Sequence, residues 1–163
     1  MRPGKVPIAN PPPLPAAPFD AEAWAGLVGR RLVIDVPAST ANLGAGYDCL
    51  GLALDVCNTV AVEAVDGDGG IELAVTGEGE GELPPVRSNR FVAGLEDALE
   101  ASIGPRPASI GWRIVMHNRI PLSRGMGSSS AASVGGVFAG HVLGGRRLTE
   151  RQQLQLATAL EGH

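Results

Sequence analysis

Four segments of the chain carry the apolar pattern of β-strands. Apolar side chains alternate with the remaining positions over 31–36 and again over 110–116, which predicts two half-buried strands. Residues 52–65 are rich in Val and Ala, and only the turn Asp66-Gly67-Asp68-Gly69-Gly70 separates them from an apolar stretch at 71–75. Because short Asp/Gly turns join adjacent antiparallel strands, we expect the second and third strands to form a hairpin.

Three longer segments have the spacing of helices. Residues 89–101 place their apolar side chains on one stripe, and Ser88 or Asn89 can cap this helix. Residues 128–143 form a predicted helix of small residues, and a last helix covers 150–160. The order of strands and helices predicts an α+β fold in which the helices pack on one face of a mixed sheet.

The helix predicted over 128–143 keeps glycine at three interior positions, Gly135, Gly136 and Gly140. Each of these glycines costs about 0.8–1 kcal/mol relative to alanine. A helix that retains them is expected to have another element packed very close to it.

The amino-terminal part of the chain is rich in proline. Residues 1–18 hold seven of the thirteen prolines, and such a stretch cannot donate the hydrogen bonds of a sheet. We predict a disordered or extended leader, followed by a short helix over 20–28 that Asp20 caps and Gly26 weakens. The chain is accordingly divided into a leader over 1–29 and a folded domain over 30–163.

Charge and hydropathy exclude several classes of partner. The net charge of −4 and the isoelectric point near 5.3 leave no excess of basic side chains to neutralise phosphates. We therefore expect neither nucleic acid nor an anionic membrane as a partner. No apolar stretch reaches the roughly 18 residues of a membrane span, and a cytoplasmic protein is expected. Cys49 and Cys57 are expected to be reduced thiols, because no metal-ligand pattern surrounds them.

A loop rich in glycine and serine precedes the small-residue helix. Gly125 and Gly127 allow a ligand to approach the backbone, and three serines follow where free N–H groups and the helix dipole favour an anion. The loop lacks the lysine of a Walker motif and the third glycine of a dinucleotide fingerprint. A plain loop before a tightly packed core helix is the alternative. The residues predicted to bind phosphate are Pro121, Leu122, Ser123, Arg124, Gly125, Met126, Gly127, Ser128, Ser129, Ser130 and Ala131.

A second segment, which follows the first strand, is long and distinctive. It has the sequence Val36-Pro-Ala-Ser-Thr-Ala-Asn-Leu-Gly-Ala-Gly-Tyr-Asp-Cys-Leu-Gly-Leu-Ala-Leu-Asp55. This segment and the loop at 121–131 resemble the first motif and the nucleotide motif of the homoserine kinases, a family of the GHMP kinase superfamily. Glu161-Gly162-His163 is similar to the start of a third stretch, which usually continues Pro-Asp-Asn. Met126 and Ala45 depart from the pattern, where leucine and proline are commoner.

The resemblance covers residues 32–163 and implies a particular fold. The fold is that of the GHMP kinase amino-terminal domain, which is similar to the second domain of ribosomal protein S5 and contains a left-handed crossover. Family members are considerably longer, and the carboxy-terminal domain that supplies their further motif is absent here. We therefore expect a fragment of a longer enzyme. The alternative is a complete small protein whose last helix is capped by Gly162.

The resemblance also implies the roles of individual residues around the substrate. Asn42 and Asp48 would contact L-homoserine, with the Asp48 carboxylate facing the ammonium group. His163 would lie close to the amino acid. His163 is a candidate general base by its chemistry, although a chain-terminal histidine is often only solvated, and no catalytic residue is assigned.

For the nucleotide, the resemblance implies that the loop at 121–131 wraps the phosphates of ATP. Glu161 would hold Mg²⁺ together with Ser129, and Asn89 would lie near the adenine.

The implied reaction is transfer of the γ-phosphoryl group of ATP to the hydroxyl of L-homoserine, which gives O-phospho-L-homoserine for threonine biosynthesis. A homodimer is compatible with this reading. One alternative is another GHMP kinase that acts on a different small alcohol. Another is a non-catalytic S5-like domain that binds a nucleotide, RNA or a protein partner.

Overall fold

The computed structural model describes residues 11–41, 43–46, 49–83 and 88–162. Within these residues the chain forms four helices, four strands and a single 3₁₀ turn at Gly44–Gly46. In chain order the elements are α1 Ala21–Ala25, β1 Arg31–Thr40, β2 Leu52–Asp66, β3 Ile71–Gly77, α2 Arg90–Ile103, β4 Ile110–Asn118, α3 Ser128–Leu143 and α4 Glu150–Glu161.

The four strands form one mixed sheet in the order β1-β2-β4-β3. β2 is antiparallel to both β1 and β4, whereas β3 is parallel to β4. The helices cover one face, and the core there includes Trp24 and Trp112, whose ring centroids are 6.4 Å apart. On the opposite face Val33 and Val115 are about half exposed. The predicted α+β architecture with helices on one face is confirmed.

The predicted hairpin between the second and third strands is wrong, because β4 lies between them. Ala64 of β2 and Ile71 of β3 both pair with Trp112 of β4. The burial of the strands explains this order. Alternate side chains of β4 such as Trp112 and Ile114 are fully buried, as a central strand requires, whereas the apolar side chains of β3 are only partly buried. The Asp/Gly turn therefore carries the chain across the end of β4, where Trp112 N–H donates to Gly70 O at 2.9 Å.

The first strand is longer than predicted and reaches the glycine- and serine-rich loop. β1 continues past Val36 to Thr40, with an irregularity in its register between Pro37 and Ser39. Pro37 is tolerated because β1 is at the edge of the sheet, where a missing N–H leaves no partner unpaired. The extension lets Ser39 N–H donate to Met126 O at 3.1 Å, so the edge of the sheet holds the loop in place.

Helices α2 and α3 pack with almost no space between their backbones. An added Cβ on Gly136 would lie 2.2 Å from Phe91 O, and one on Gly140 would lie 2.5 Å from Leu95 O. Glycine is likewise needed on α2, since a Cβ on Gly94 would approach the main chain of α3 to within 2.7 Å. The expected close neighbour of the glycine-containing helix is therefore α2.

The stretch expected to be a leader lies against the domain where the structure describes it. Ala17 N–H donates to Glu100 O at 2.9 Å, and Asp20 N–H donates to Ile103 O at 3.0 Å. Asp20 caps α1 as predicted, but α1 ends at Ala25, before Gly26. Trp24 is buried in the same core as the sheet. Residues 1–10 lie outside the described residues, and the division of the chain at residue 29 stays a prediction.

The last helix begins and ends with standard caps. Thr149 and Gln152 form a capping box at its start. Gly162 takes the left-handed conformation at its end, with φ of +82°. Of the helices in the described part of the chain, none is both long and apolar enough to cross a membrane.

The contact between α2 and α3 predicts that Gly136→Ala destabilises the protein. Alanine would favour the helix by about 1 kcal/mol, but its methyl group would overlap Phe91 O and push the two helices apart, which costs typically 1–3 kcal/mol or more. Urea denaturation should show a net loss of about 1–2 kcal/mol in the free energy of unfolding.

Val134→Ala is the matched control, because Val134 is 48% exposed on the same helix. This variant should change the free energy of unfolding by less than about 0.5 kcal/mol. A Gly136→Ala protein as stable as the wild type would contradict the close backbone contact.

Candidate functional site

The carboxylate of Glu161 lies at the amino-terminal end of α3 and accepts hydrogen bonds from three serines. Ser133 Oγ lies 2.6 Å and Ser129 Oγ 3.0 Å from Glu161 Oε1. Ser130 Oγ lies 3.1 Å from the other carboxylate oxygen. The guanidinium of Arg90, at the start of α2, is 3.5 Å from Oε1. The structure thus brings together Glu161 and Ser129, the two residues expected to hold a metal.

These contacts favour the ionised form of Glu161. Burial of the carboxyl group raises its pKa, but the hydrogen bonds from Ser133, Ser129 and Ser130 and the charge of Arg90 together outweigh burial and lower the pKa below its usual 4.5. Glu161 is therefore a negative charge held in a fixed orientation at neutral pH.

The start of α3 presents backbone donors to the same place. Gly127 occupies the N-cap position with φ of +66°, and within the described residues no side chain caps the helix. The first N–H groups of a helix have no intrahelical acceptor, so those of Ser128, Ser129 and Ser130 are available to an anion. A Cβ at residue 127 would lie 2.8 Å from Ser39 Oγ, which explains why glycine is required here.

The loop before α3 has an unusual backbone. Ser123, Gly125 and Gly127 all have φ between +56° and +70°. Serine rarely adopts this region, which costs energy and is found where surrounding contacts enforce it. Leu122 N–H donates to the carboxylate of Glu78 at 3.3 Å, and this bond helps hold the loop over the end of the sheet.

A cavity of about 290 Å³ opens beside the serines, between the sheet and the first turn of α2. Asn89, one of the two candidate helix caps, lies in its wall and accepts a hydrogen bond from Phe91 N–H at 3.0 Å. The other end of its amide, Nδ2, is buried and has no hydrogen-bond partner among the described residues. Because a buried donor without a partner is costly, this amide is poised to bind a ligand in the cavity. Arg90, Ser128 and Ser129 line the same cavity.

A larger groove of about 470 Å³ lies elsewhere, between β1, α3 and α4. Its walls are mostly apolar and include Val134, Phe138 and Leu154. Phosphate chemistry needs several donors or cations, so the smaller cavity, whose wall includes Asn89, Arg90 and two serines, is the candidate site.

Two residues of the site were not predicted from the sequence. Ser133 follows Ser129 by four positions, and this spacing places both hydroxyls on one face of a helix. The spacing is visible in the sequence, but it does not indicate a site unless the carboxylate that both serines contact is known. Arg90 gave no sequence signal, because its partner Glu161 is far away in the chain.

Several predicted site residues cannot be placed. Asn42, Asp48 and His163, expected to bind the substrate, lie outside the described residues. Arg124 is exposed on the loop.

In the described part of the chain, no cluster of three or more His, Cys, Asp or Glu side chains has the geometry of a metal site. A metal here would depend on Glu161 with hydroxyl, water and ligand oxygens.

The hydrogen bonds to Glu161 predict how stability depends on pH. A carboxyl whose pKa is lowered by folding stabilises the protein above its unfolded pKa, and this contribution is lost as the pH falls through the lowered value. Ser133→Ala removes the shortest of these bonds, so the pKa of Glu161 should rise toward its usual value. The loss of stability between pH 7 and pH 3, measured by urea denaturation, should then be smaller than in the wild type.

Ser102→Ala is the control for a lost buried hydroxyl. Ser102 donates to Ala98 O at 2.7 Å, and among the described residues it has no hydrogen bond to a carboxylate. This variant should lower stability by a similar amount at every pH. If Ser133→Ala kept the wild-type dependence on pH, the serine bonds would not be what keeps Glu161 ionised.

Comparison with known proteins shows which proteins this chain resembles. Residues 90–163 match the family model described as the GHMP kinases N terminal domain. Homoserine kinases of Corynebacterium efficiens and Corynebacterium glutamicum are each 48% identical to the chain over 136 residues, which cover 83% of this chain and 42% of the relative. The crystal structure of the homoserine kinase from Cytophaga hutchinsonii has a TM-score of 0.65 at 26% identity and covers 89% of this chain and 43% of its own.

The chain therefore spans less than half the length of the curated relatives that it matches. The family model begins at α2 and includes the loop, α3 and Glu161. The alignments with the relatives are longer, at 136 residues, and so must also include most of the sheet. Sequence, fold and site thus agree that the chain contains a GHMP kinase amino-terminal domain, which the family model matches over residues 90–163.

Proposed function

We propose that this domain binds ATP for a kinase that transfers the γ-phosphoryl group to the hydroxyl of L-homoserine and so forms O-phospho-L-homoserine. The observation that carries the proposal is the convergence of Glu161 with the serine hydroxyls and backbone donors at the start of α3, beside the cavity that Asn89 and Arg90 line. The relatives named above support homoserine as the acceptor.

The phosphates of ATP would bind to the loop at 121–131 and to the first turn of α3. Several N–H donors at a helix start stabilise an anion together, and each hydrogen bond to a charged group contributes about 1.5–3 kcal/mol. The positive φ angles of Gly125 and Gly127 support this role, since they turn the backbone without a side chain in the way. A lysine is not required in such a site.

Glu161 and Ser129 would hold Mg²⁺. A hard cation with oxygen ligands suits one carboxylate and a hydroxyl when phosphates and water complete its coordination. When bound, the ion would neutralise charge on the transferring phosphoryl group. Ser130 and Ser133 would fix the orientation of the carboxylate by the hydrogen bonds described above.

The adenine would occupy the cavity beside Asn89. The unpartnered Nδ2 of Asn89 supplies a donor for a ring nitrogen, and Phe91 and Met116 contribute apolar surface to the same wall. A mostly apolar pocket with a few directed polar groups is the usual design of a small-molecule site.

The acceptor would be held by residues outside the described part of the chain. Asp48 would face the ammonium group of homoserine, with Asn42 and His163 nearby. Phosphoryl transfer through a loose transition state requires mainly alignment and charge stabilisation, so no strong base is assigned. The role in threonine biosynthesis, the cytoplasmic location and a homodimer stay predictions.

The first test is acceptor specificity. ATP consumption should be measured with homoserine, mevalonate, galactose and shikimate, using the 163-residue chain both alone and fused to the region that follows the matched segment in the Corynebacterium efficiens relative. We expect turnover with homoserine only, at least in the fused protein, because the matched segment makes up only 42% of the Corynebacterium efficiens relative.

Turnover of a different acceptor would indicate that the protein belongs to another branch of the family. A protein that binds ATP but transfers phosphate to none of the four acceptors, even when fused, would support a non-catalytic domain instead.

Asn89→Asp and Asn89→Ser test the adenine assignment. Aspartate and serine cap a helix about as well as asparagine, but both remove the Nδ2 donor. We expect the affinity for ATP, measured by calorimetry, to fall about tenfold in both variants, in line with the loss of one hydrogen bond in a buried site. Thermal unfolding should change little. A loss in Asn89→Asp alone would point to charge repulsion and would contradict the donor role.

A further inference from the structure

Arg90 stands between the carboxylate of Glu161 and the cavity. It is the first residue of α2 and lines the cavity together with Ser128 and Ser129. Its Nη1 lies 3.5 Å from Glu161 Oε1. The sequence motifs assign Arg90 no role, yet it brings a permanent positive charge to the place where a nucleotide would bind.

The contact between Arg90 and Glu161 is long, and the arginine is the more exposed of the two side chains. Charge-assisted hydrogen bonds between guanidinium and carboxylate are usually about 2.7–2.9 Å long, and this pair is at 3.5 Å. The side chain of Arg90 is 43% exposed, whereas that of Glu161 is only 12% exposed and is fixed by the serines. The guanidinium can therefore move away while the carboxylate stays in place.

A metal ion and Arg90 would compete for the same oxygen. Glu161 Oε1 already accepts from Ser129 and Ser133 and faces Arg90 as well. A divalent cation bound to this oxygen would lie within a few ångströms of the guanidinium, where two positive charges repel each other. Arg90 must then leave Glu161 when the metal arrives.

The phosphates of a bound nucleotide would offer the guanidinium of Arg90 a new partner. We infer that Arg90 is a nucleotide-binding residue, which neutralises Glu161 in the empty site and transfers its guanidinium to phosphate oxygens when the metal–nucleotide complex binds. The planar fork of arginine matches phosphate oxygens in a bidentate manner. The cavity wall that contains Arg90 also contains the unpartnered amide of Asn89, so both polar groups at this end of α2 face the ligand.

This inference rests on the proposed ATP site and makes two opposite predictions for Arg90→Gln. In the presence of saturating Mg²⁺, the affinity for ATP should fall about tenfold, because a charged partner of the phosphates is lost. In the absence of nucleotide, the affinity for Mn²⁺, followed by electron paramagnetic resonance, should instead rise several-fold, because the competitor for Glu161 is removed. A merely structural arginine would not move the two affinities in opposite directions.

Three variants control the experiment. Arg151→Gln makes the same charge change at an exposed position near the start of α4 and should alter neither affinity. Glu161→Gln should abolish Mn²⁺ binding, which shows that the probe reports on this carboxylate. Arg90→Lys keeps the charge but loses the fork, so its loss of ATP affinity should be smaller than that of Arg90→Gln. If Arg90→Gln does not fold, Arg90→Lys replaces it in the experiment.

The outcomes separate this inference from the proposed function. If the wild type bound no ATP in the presence of Mg²⁺, the proposed function itself would be wrong. If the wild type bound ATP but Arg90→Gln left either affinity unchanged, or weakened both, only the role of Arg90 would be overturned.

Discussion

The site depends on the contact between the backbones of α2 and α3. Phe91 meets Gly136 and Leu95 meets Gly140, so higher numbers on one helix meet higher numbers on the other and the two helices run in the same direction. In this register α2 begins level with about residue 135 of α3, roughly two turns beyond Ser128. Arg90 and Ser128 nevertheless line the same cavity, and the free N–H groups that begin each helix carry partial positive charge. Any larger side chain at the glycine positions would separate the two helices.

Glu161 is held between the serines at the start of α3 and the side chain of Arg90, and these surroundings explain how a carboxylate can stay ionised there. α4 packs against α3, so its last residue reaches the serines that begin α3. Three hydroxyl donors and one guanidinium offset the cost of burying the charge. An acidic chain with a single lysine can thus form an anion site from backbone and hydroxyl donors, with arginine rather than lysine as its cation.

Local patterns predicted most elements well. The stripe on α2, a cap at Ser88 or Asn89 and the start of α3 at Ser128 all follow from spacing and capping chemistry, which depend on neighbours a few residues away. The pairing of β3 was not predictable in this way, because the choice between β2 and β4 depends on how much apolar surface each strand buries. The same holds for the length of β1 beyond Val36, which is stabilised by the loop that follows Pro121.

The sequence by itself determined the α+β class, the need for a close neighbour at the glycines of α3, and a resemblance that already named Glu161, Ser129 and the loop at 121–131. These are properties of short segments, and short segments fix their own backbone and chemistry. Only the tertiary structure decided the strand order β1-β2-β4-β3 and the convergence of Arg90, Ser133 and Glu161. The physical reason is distance along the chain: residues 90 and 161 meet because α2 and α4 both pack against α3, and no local pattern encodes that arrangement.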